Sequence, residues 1–158
     1  MALRVRRVIT GHDGNGRASV KIDEVAKHLV TGRPGATVCN VWTTEGFPAS
    51  NDGDADAGRR PVSTTLANGT IFRVIEFAPG VAARNHRTDS IDYITVISGE
   101  IDMELDEGSV HLRAGDVMVQ RGTIHNWVNR GPAPCVLSVV LIAARSVEVG
   151  GKVLPAIG

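Results

Sequence analysis

Apolar and polar residues alternate along most of this chain with a period of two, the repeat that puts every second side chain on one face of a strand. RVRRVIT (Arg4 to Thr10) and RASVKI (Arg17 to Ile22) read as two strands joined by GHDGNG, whose Asp-Gly and Asn-Gly pairs favour tight turns. DEVAKHL (Asp23 to Leu29) interrupts the alternation. Its acidic start and its apolar residues at Val25, Ala26 and Leu29 predict a short helix or turn. GATVCNVWTT (Gly35 to Thr44) is rich in β-branched residues and predicts a strand with Val38, Asn40, Trp42 and Thr44 on one face and Thr37, Cys39, Val41 and Thr43 on the other. TIFRVIEF (Thr70 to Phe77) predicts a further strand, and APCVLSVVLIA (Ala133 to Ala143) one buried on both faces.

From Pro79 to Asn129, glycines at 80, 99, 108, 115 and 122 punctuate short alternating segments, as in an antiparallel sandwich or barrel. The pleat then decides which side chains share the interior. If His86 points inward, Arg84 and Thr88 go with it. An inward Asp92 brings Ile94 and Val96 and turns Tyr93 and Thr95 away, and an inward His125 brings Thr123 and Trp127. The implied interior is an apolar pocket of Ile94, Val96, Ile101, Met103 and Trp127 that carries a polar cluster of His86, Thr88, Asp92, His125 and Arg84. An apolar concavity with a few convergent polar groups is the usual form of a ligand site. Two imidazoles and a carboxylate are also the donor set of a facial metal site. Burying an uncompensated carboxylate is costly, and a bound divalent cation would remove that cost.

Gly46 to Asn68 is rich in Gly, Pro, Ala, Asp and Ser, and predicts a long loop, either a flap over a barrel mouth or an unstructured connection. The expected organisation is one domain: an N-terminal hairpin and strand (1–45), the loop (46–69), the barrel core (70–145) and a Gly- and Pro-bearing tail with strand character at Val147 to Val149 (146–158).

Seventeen Lys and Arg balance seventeen Asp and Glu, so no global field recruits nucleic acid or an anionic membrane. No apolar run reaches the ~18–20 residues that span a bilayer, and MALRVRRVITGHD lacks the apolar core of a secretory signal. Cys39 and Cys135 sit in apolar runs without CxxC spacing and read as buried small hydrophobes, which fits a cytoplasmic location. His12, His28 and His111 read as surface residues, and Asn129 as a turn-closing residue.

The stretch from Gly80 to Asn129 resembles the two sequence motifs of the cupin superfamily. The first runs Gly, five residues, His-x-His, three or four residues, Glu, six residues, Gly. Here it reads Gly80, His86-Arg87-Thr88, Asp92 and Gly99 at those spacings, with Thr88 in place of the second histidine and Asp92 in place of the glutamate. The second is matched by Gly115, Gly122, His125 and Asn129, with Gln120 where a proline is usual. The resemblance implies an all-β, double-stranded β-helix (jelly-roll) barrel with an extra N-terminal hairpin, and a homodimer in which terminal strands are extended or exchanged. It further implies a divalent metal (Fe, Mn, Ni or Zn) on His86, Asp92 and His125, no organic cofactor, and chemistry on a small organic substrate. Oxygenation, decarboxylation, isomerisation and lyase or cyclase reactions all occur in that family. The alternative is a metal-free barrel that binds a small apolar or aromatic ligand without catalysis.

Overall fold

The computed structural model describes residues 2–158. The chain opens on a hairpin of β1 (Arg6–His12) and β2 (Ala18–Val25), followed by the short β3 (Leu29–Val30) and the long β4 (Ala36–Glu45). Then come β5 (Gly69–Phe77), β6 (Ser90–Ser98), β7 (Glu100–Glu104), β8 (Ser109–Arg113), β9 (Val117–Arg121), β10 (Asn126–Val128) and β11 (Cys135–Ala143). A small hairpin of β12 (Val147–Val149) and β13 (Lys152–Leu154) ends the series.

Antiparallel pairing builds a six-stranded sheet in the order β3-β4-β5-β11-β6-β9, which faces a three-stranded sheet in the order β10-β7-β8. The inner faces of the two sheets meet over one apolar core. β5 contributes Ile71 and Phe77, and β6 contributes Ile94 and Val96. Ile101, Met103 and Leu112 come from β7 and β8, Trp127 from β10, and Leu137, Val139 and Leu141 from β11. A second, smaller cluster of Val5, Ala26, Cys39, Val41 and Val74 seats the N-terminal hairpin on the outer face of the six-stranded sheet. The all-β barrel expected from the alternation is therefore what forms.

Three local expectations are corrected. Asp23 to Leu29 is not helical: β2 continues to Val25, opposite Arg6, and Leu29–Val30 pairs with Cys39 and Val38. Ladder bonds along the whole hairpin outweigh the weak local helix signal, as tertiary pairing commonly does. In β4 the register shifts between Asn40 and Trp42, so Asn40 opposes the inward Arg73 whereas Trp42 opposes the outward Phe72. A bulged residue reverses the alternation beyond it, which places Asn40 and Trp42 on opposite faces. β11 is fully buried only on its inner face. Val136, Ser138, Val140 and Ile142 are half-buried, because the N-terminal hairpin covers only part of the outer face.

The loop between β4 and β5 is tied down. Asp56 caps a single 3-10 turn (Ala57–Arg59), accepting from Gly58 N. Its carboxylate also receives the guanidinium of Arg7, a fully buried side chain that bonds Glu24 through Nε (3.0 Å) and Nη2 (2.6 Å). The tail is anchored as well: Ile157 and Arg87 exchange backbone hydrogen bonds, which brings the chain end beside His86.

Candidate functional site

His86 precedes β6, and His125 precedes β10. Each donates its backbone N–H to the other's carbonyl, at 3.1 and 3.0 Å, in an isolated bridge that closes one end of the barrel. This bridge sets the imidazoles side by side in a tilted pair, with ring centroids 4.2 Å apart and planes 47° apart, and both side chains are buried. Trp127 and His125 meet edge to face at 5.9 Å, and Trp127 stacks on Phe77 at 6.2 Å.

The two rings are held in the same way. Nδ1 of His86 lies 3.1 Å from the carbonyl of Arg84, and Nδ1 of His125 lies 3.0 Å from the carbonyl of Thr123. A carbonyl only accepts, so each Nδ1 carries the proton and each Nε2 keeps its lone pair. Gln120 Nε2 also lies 3.3 Å from Nδ1 of His125 and donates to Thr123 O at 2.9 Å. The shared Thr123 carbonyl accounts for both contacts with Nδ1 still protonated. Burial drives the His86 pKa down to about 4, assisted by the neighbouring His125, and burial lowers His125 too. Both imidazoles are neutral at pH 7.

Asp92 faces the interior from β6, as the alternation requires, and is 5% exposed. Ser90 Oγ lies 2.6 Å from Asp92 Oδ1 and 2.8 Å from Thr88 Oγ1. Ser90 has a single hydroxyl proton, so it donates to the carboxylate and accepts from Thr88. Thr88, standing where the motif carries a second histidine, thus opens a hydroxyl relay to Asp92. Burial raises the Asp92 pKa to about 6 against the opposing effects of Ser90 and Arg73. The carboxylate does not join the imidazoles: among the described residues no group of three His, Cys, Asp or Glu side chains is placed to share a metal ion. The shorter aspartate side chain is held by Ser90, on its own strand.

Of the residues expected to line a pocket, Ile94, Val96, Met103 and Trp127 are packed against one another in the core. Arg84 is half-buried at the barrel mouth, with Nη2 donating to Thr64 Oγ1 (3.2 Å) and to the carbonyl of Gly158 (2.9 Å). A cavity of about 370 Å³ opens beside His125 and is lined also by Asn85, Glu104, Ser109 and Ile124. A larger one, about 900 Å³, is not lined by His86 or His125 and lies between the N-terminal hairpin, the 46–60 loop and the outward Trp42 and Phe72.

Two inward residues escaped the sequence reading. Gln120 on β9 is directly opposite Asp92, is 2% exposed, and leaves Oε1 without a partner. Arg73 on β5 is 8% exposed among core residues and leaves Nε without one. Both were detectable from alternation alone: Arg73 falls in phase with Ile71 and Phe77, and Gln120 in phase with Met118, which packs on the core. One surface assignment changes: His28 is half-buried and bonds the Asn40 carbonyl at 2.8 Å, whereas His111 is exposed as expected, with Asp102 at 2.7 Å.

Comparison with known proteins agrees with this architecture. The sequence model of the Cupin domain family matches residues 73–142. The cupin-domain-containing oxidoreductase fogC of Aspergillus ruber is 36% identical over 157 residues, covering 94% of this chain and 77% of that protein. Phomopsin biosynthesis cluster protein C' of Diaporthe leptostromiformis is 35% identical, covering 94% of this chain and 83% of its own length. Among solved structures, the polyketide cyclase RemF of Streptomyces resistomycificus superposes with a TM-score of 0.51 at 18% identity, over 92% of this chain and 82% of RemF, a likeness of fold alone. With the all-β barrel, the family model and relatives matched over most of their own length in agreement, the chain belongs to the cupin superfamily.

Proposed function

We propose that this protein is an enzyme of small-molecule biosynthesis that acts on a small organic substrate at the barrel mouth, with His86 and His125 as its reactive centre. Its relatives include proteins named as cupin-domain-containing oxidoreductases and biosynthesis-cluster proteins, which supports an enzyme of that kind. The observation that carries the reading is the matched anchoring of the two rings. Fixing Nδ1–H on a backbone carbonyl is how proteins orient an imidazole whose Nε2 is to receive a proton or a metal ion.

In this reading the two neutral Nε2 atoms face the substrate as proton acceptors, and the packed Trp127 ring keeps bulk water off His125. Asp92, whose pKa burial raises to about 6, is a carboxylate that can take up a proton through the Thr88 and Ser90 hydroxyls. The donor set suits a divalent ion (Fe, Mn, Ni or Zn) held by Nε2 of His86 and Nε2 of His125, where it would supply Lewis-acid or oxygen-activating chemistry. Asp92 stays outside that set. The alternative, a metal-free barrel that binds an apolar or aromatic ligand, is favoured by one observation, the failure of Asp92 to close a three-ligand site.

Calorimetric titration of chelator-stripped protein with Mn²⁺, Ni²⁺ and Zn²⁺ separates the two. The expected result is uptake of one ion by the native chain and none by correctly folded His86→Gln or His125→Gln. No uptake by the native chain leaves the metal-free reading. A homodimer is part of the proposal, supported by the outer face of β6 and β9, where Tyr93 (53%) and Val117 (75%) are exposed beside Ile97 and Val119. Sedimentation equilibrium tests it, and a monomer at all concentrations overturns it.

A further inference from the structure

Arginine is paired with carboxylate at many places on the outside of this molecule. Arg6 meets Asp23, Arg17 meets Asp13, Arg60 meets Glu45, and Arg130 meets both Asp102 and Glu104, while Arg7 and Arg59 share Glu24 and Asp56. Among the described residues, Arg4, Arg87, Arg113, Arg121 and Arg145 make no such pair, and neither do the arginines gathered around the inner face and the mouth of the barrel, where burial makes the lack of one matter. Of the latter, Arg33, Arg73 and Arg84 have, among the described residues, no Asp or Glu side chain within ion-pair distance, and Arg84 stands close enough to the other two to disfavour their charge.

Arg33 is consumed by the fold. Its Nε donates to the Ala82 carbonyl and its Nη2 to the Trp127 carbonyl and Asn126 Oδ1, and its plane lies over the Phe77 ring. Arg73 is not consumed. It is buried on the inward face of β5 with one hydrogen bond, from Nη2 to the Ser63 carbonyl at 2.9 Å, and a buried Nε that bonds nothing. Arg84 donates to the Thr64 hydroxyl and to the main-chain oxygen of Gly158, and meets no side-chain carboxylate among the described residues. Gln120 adds a further buried group with an unpartnered amide oxygen. Asp92, whose charge favours the Arg73 guanidinium, is engaged by Ser90 and makes no ion pair with it.

A buried guanidinium without a counter-ion is destabilising, and folds retain one where an anion completes it. The planar fork of Arg73 matches the two oxygens of a carboxylate. Ile71 and Phe77 stand in phase with Arg73 on the same strand, so the guanidinium has an apolar surround on its inner side, and the Ser63–Thr64 segment that both Arg73 and Arg84 touch lies on its outer side. We propose that the barrel binds a substrate bearing a carboxylate, anchored by Arg73 and steadied by Arg84. This rests on the reading of the barrel mouth as a small-molecule site, but it does not require a metal.

The test compares each acid with its neutral amide: acetate with acetamide, benzoate with benzamide, succinate with succinamide. Binding is followed by backbone amide NMR shifts in chelator-stripped protein, with inorganic phosphate as a separate arm. The expected result is that at least one acid binds at least tenfold more tightly than its amide. Arg73→Met abolishes that preference, Arg84→Met reduces it, and Arg73→Lys, which keeps the charge but not the fork, restores only part of it. Equal binding of acids and amides by the native protein overturns the proposal, as does a preference that survives unchanged in folded Arg73→Met, or phosphate binding in place of every acid. Because the ion has been stripped, a protein that fails to take up metal yet prefers acids would overturn the metal reading alone.

Discussion

His86 and His125 exchange backbone hydrogen bonds across the barrel end, and each gives Nδ1–H to the carbonyl of the residue two positions before it. The same local device therefore fixes both rings, although thirty-nine positions separate them in the chain. Replacing either ring should affect chemistry far more than folding. His125→Gln and His86→Gln are expected to lose metal uptake, with thermal midpoints within several degrees of the native value. A side chain that was merely packed would instead show its loss in stability, by circular dichroism.

Asp92 makes stability depend on pH in an unusual direction. Its folded-state pKa is raised from 3.8 to about 6, so the folded protein binds this proton more tightly than the unfolded chain does. The burden of the buried charge is full above about pH 6 and is relieved as pH falls from there toward 4. Relative to Asp92→Asn, which cannot titrate, the native protein should gain roughly 2 kcal/mol between pH 8 and pH 4. Urea denaturation at the two pH values reads the difference, and a constant gap contradicts the raised pKa.

Asp56 works the other way and holds the loop. The Arg7 guanidinium draws its pKa down to about 2, so its stabilisation is present above about pH 4 and is lost as pH falls through 2. Asp56→Ala leaves a buried arginine with Glu24 alone and uncaps the Ala57–Arg59 turn. A loss of about 2–4 kcal/mol is expected, with new proteolytic cleavage confined to residues 46–60. Unchanged protection of that segment would show that other contacts hold it.

Gly99 is a motif glycine with a structural reason. Its φ is +76°, and an added Cβ would lie 2.6 Å from the Pro134 carbonyl oxygen and 2.9 Å from Cys135 Cα. Both obstacles are backbone, so Gly99→Ala must move the start of β11. It should cost about 2–4 kcal/mol in chemical denaturation. Gly108→Ala, with a φ of +87° but open space around it, should cost visibly less.

Alternation and turn glycines were enough to read a barrel or sandwich and to say which side chains go together, so that an inward Asp92 turns Tyr93 and Thr95 outward, because a strand's period of two is a direct consequence of its geometry; the motif resemblance singled out His86, Asp92 and His125. What eluded the sequence depends on contacts between distant segments. The β4 bulge that separates Asn40 from Trp42 is a property of pairing with β5. The order of the 46–68 loop comes from Arg7, about fifty positions earlier. Whether Asp92 reaches the histidines depends on Ser90, which captures its carboxylate. Arg73 and Gln120 were visible as polar letters on inward positions, yet their unpartnered atoms appear only once their neighbours are placed.

The most direct test of the account is the imidazole nitrogen spectrum of uniformly ¹⁵N-labelled, chelator-stripped protein at pH 7, taken before and after one equivalent of Zn²⁺. Two of the five histidines, identified as 86 and 125 by their glutamine variants, should appear as neutral Nδ1–H tautomers whose Nε2 resonances both shift on adding the ion. Nε2–H tautomers, charged rings, or Nε2 signals indifferent to the ion would contradict it.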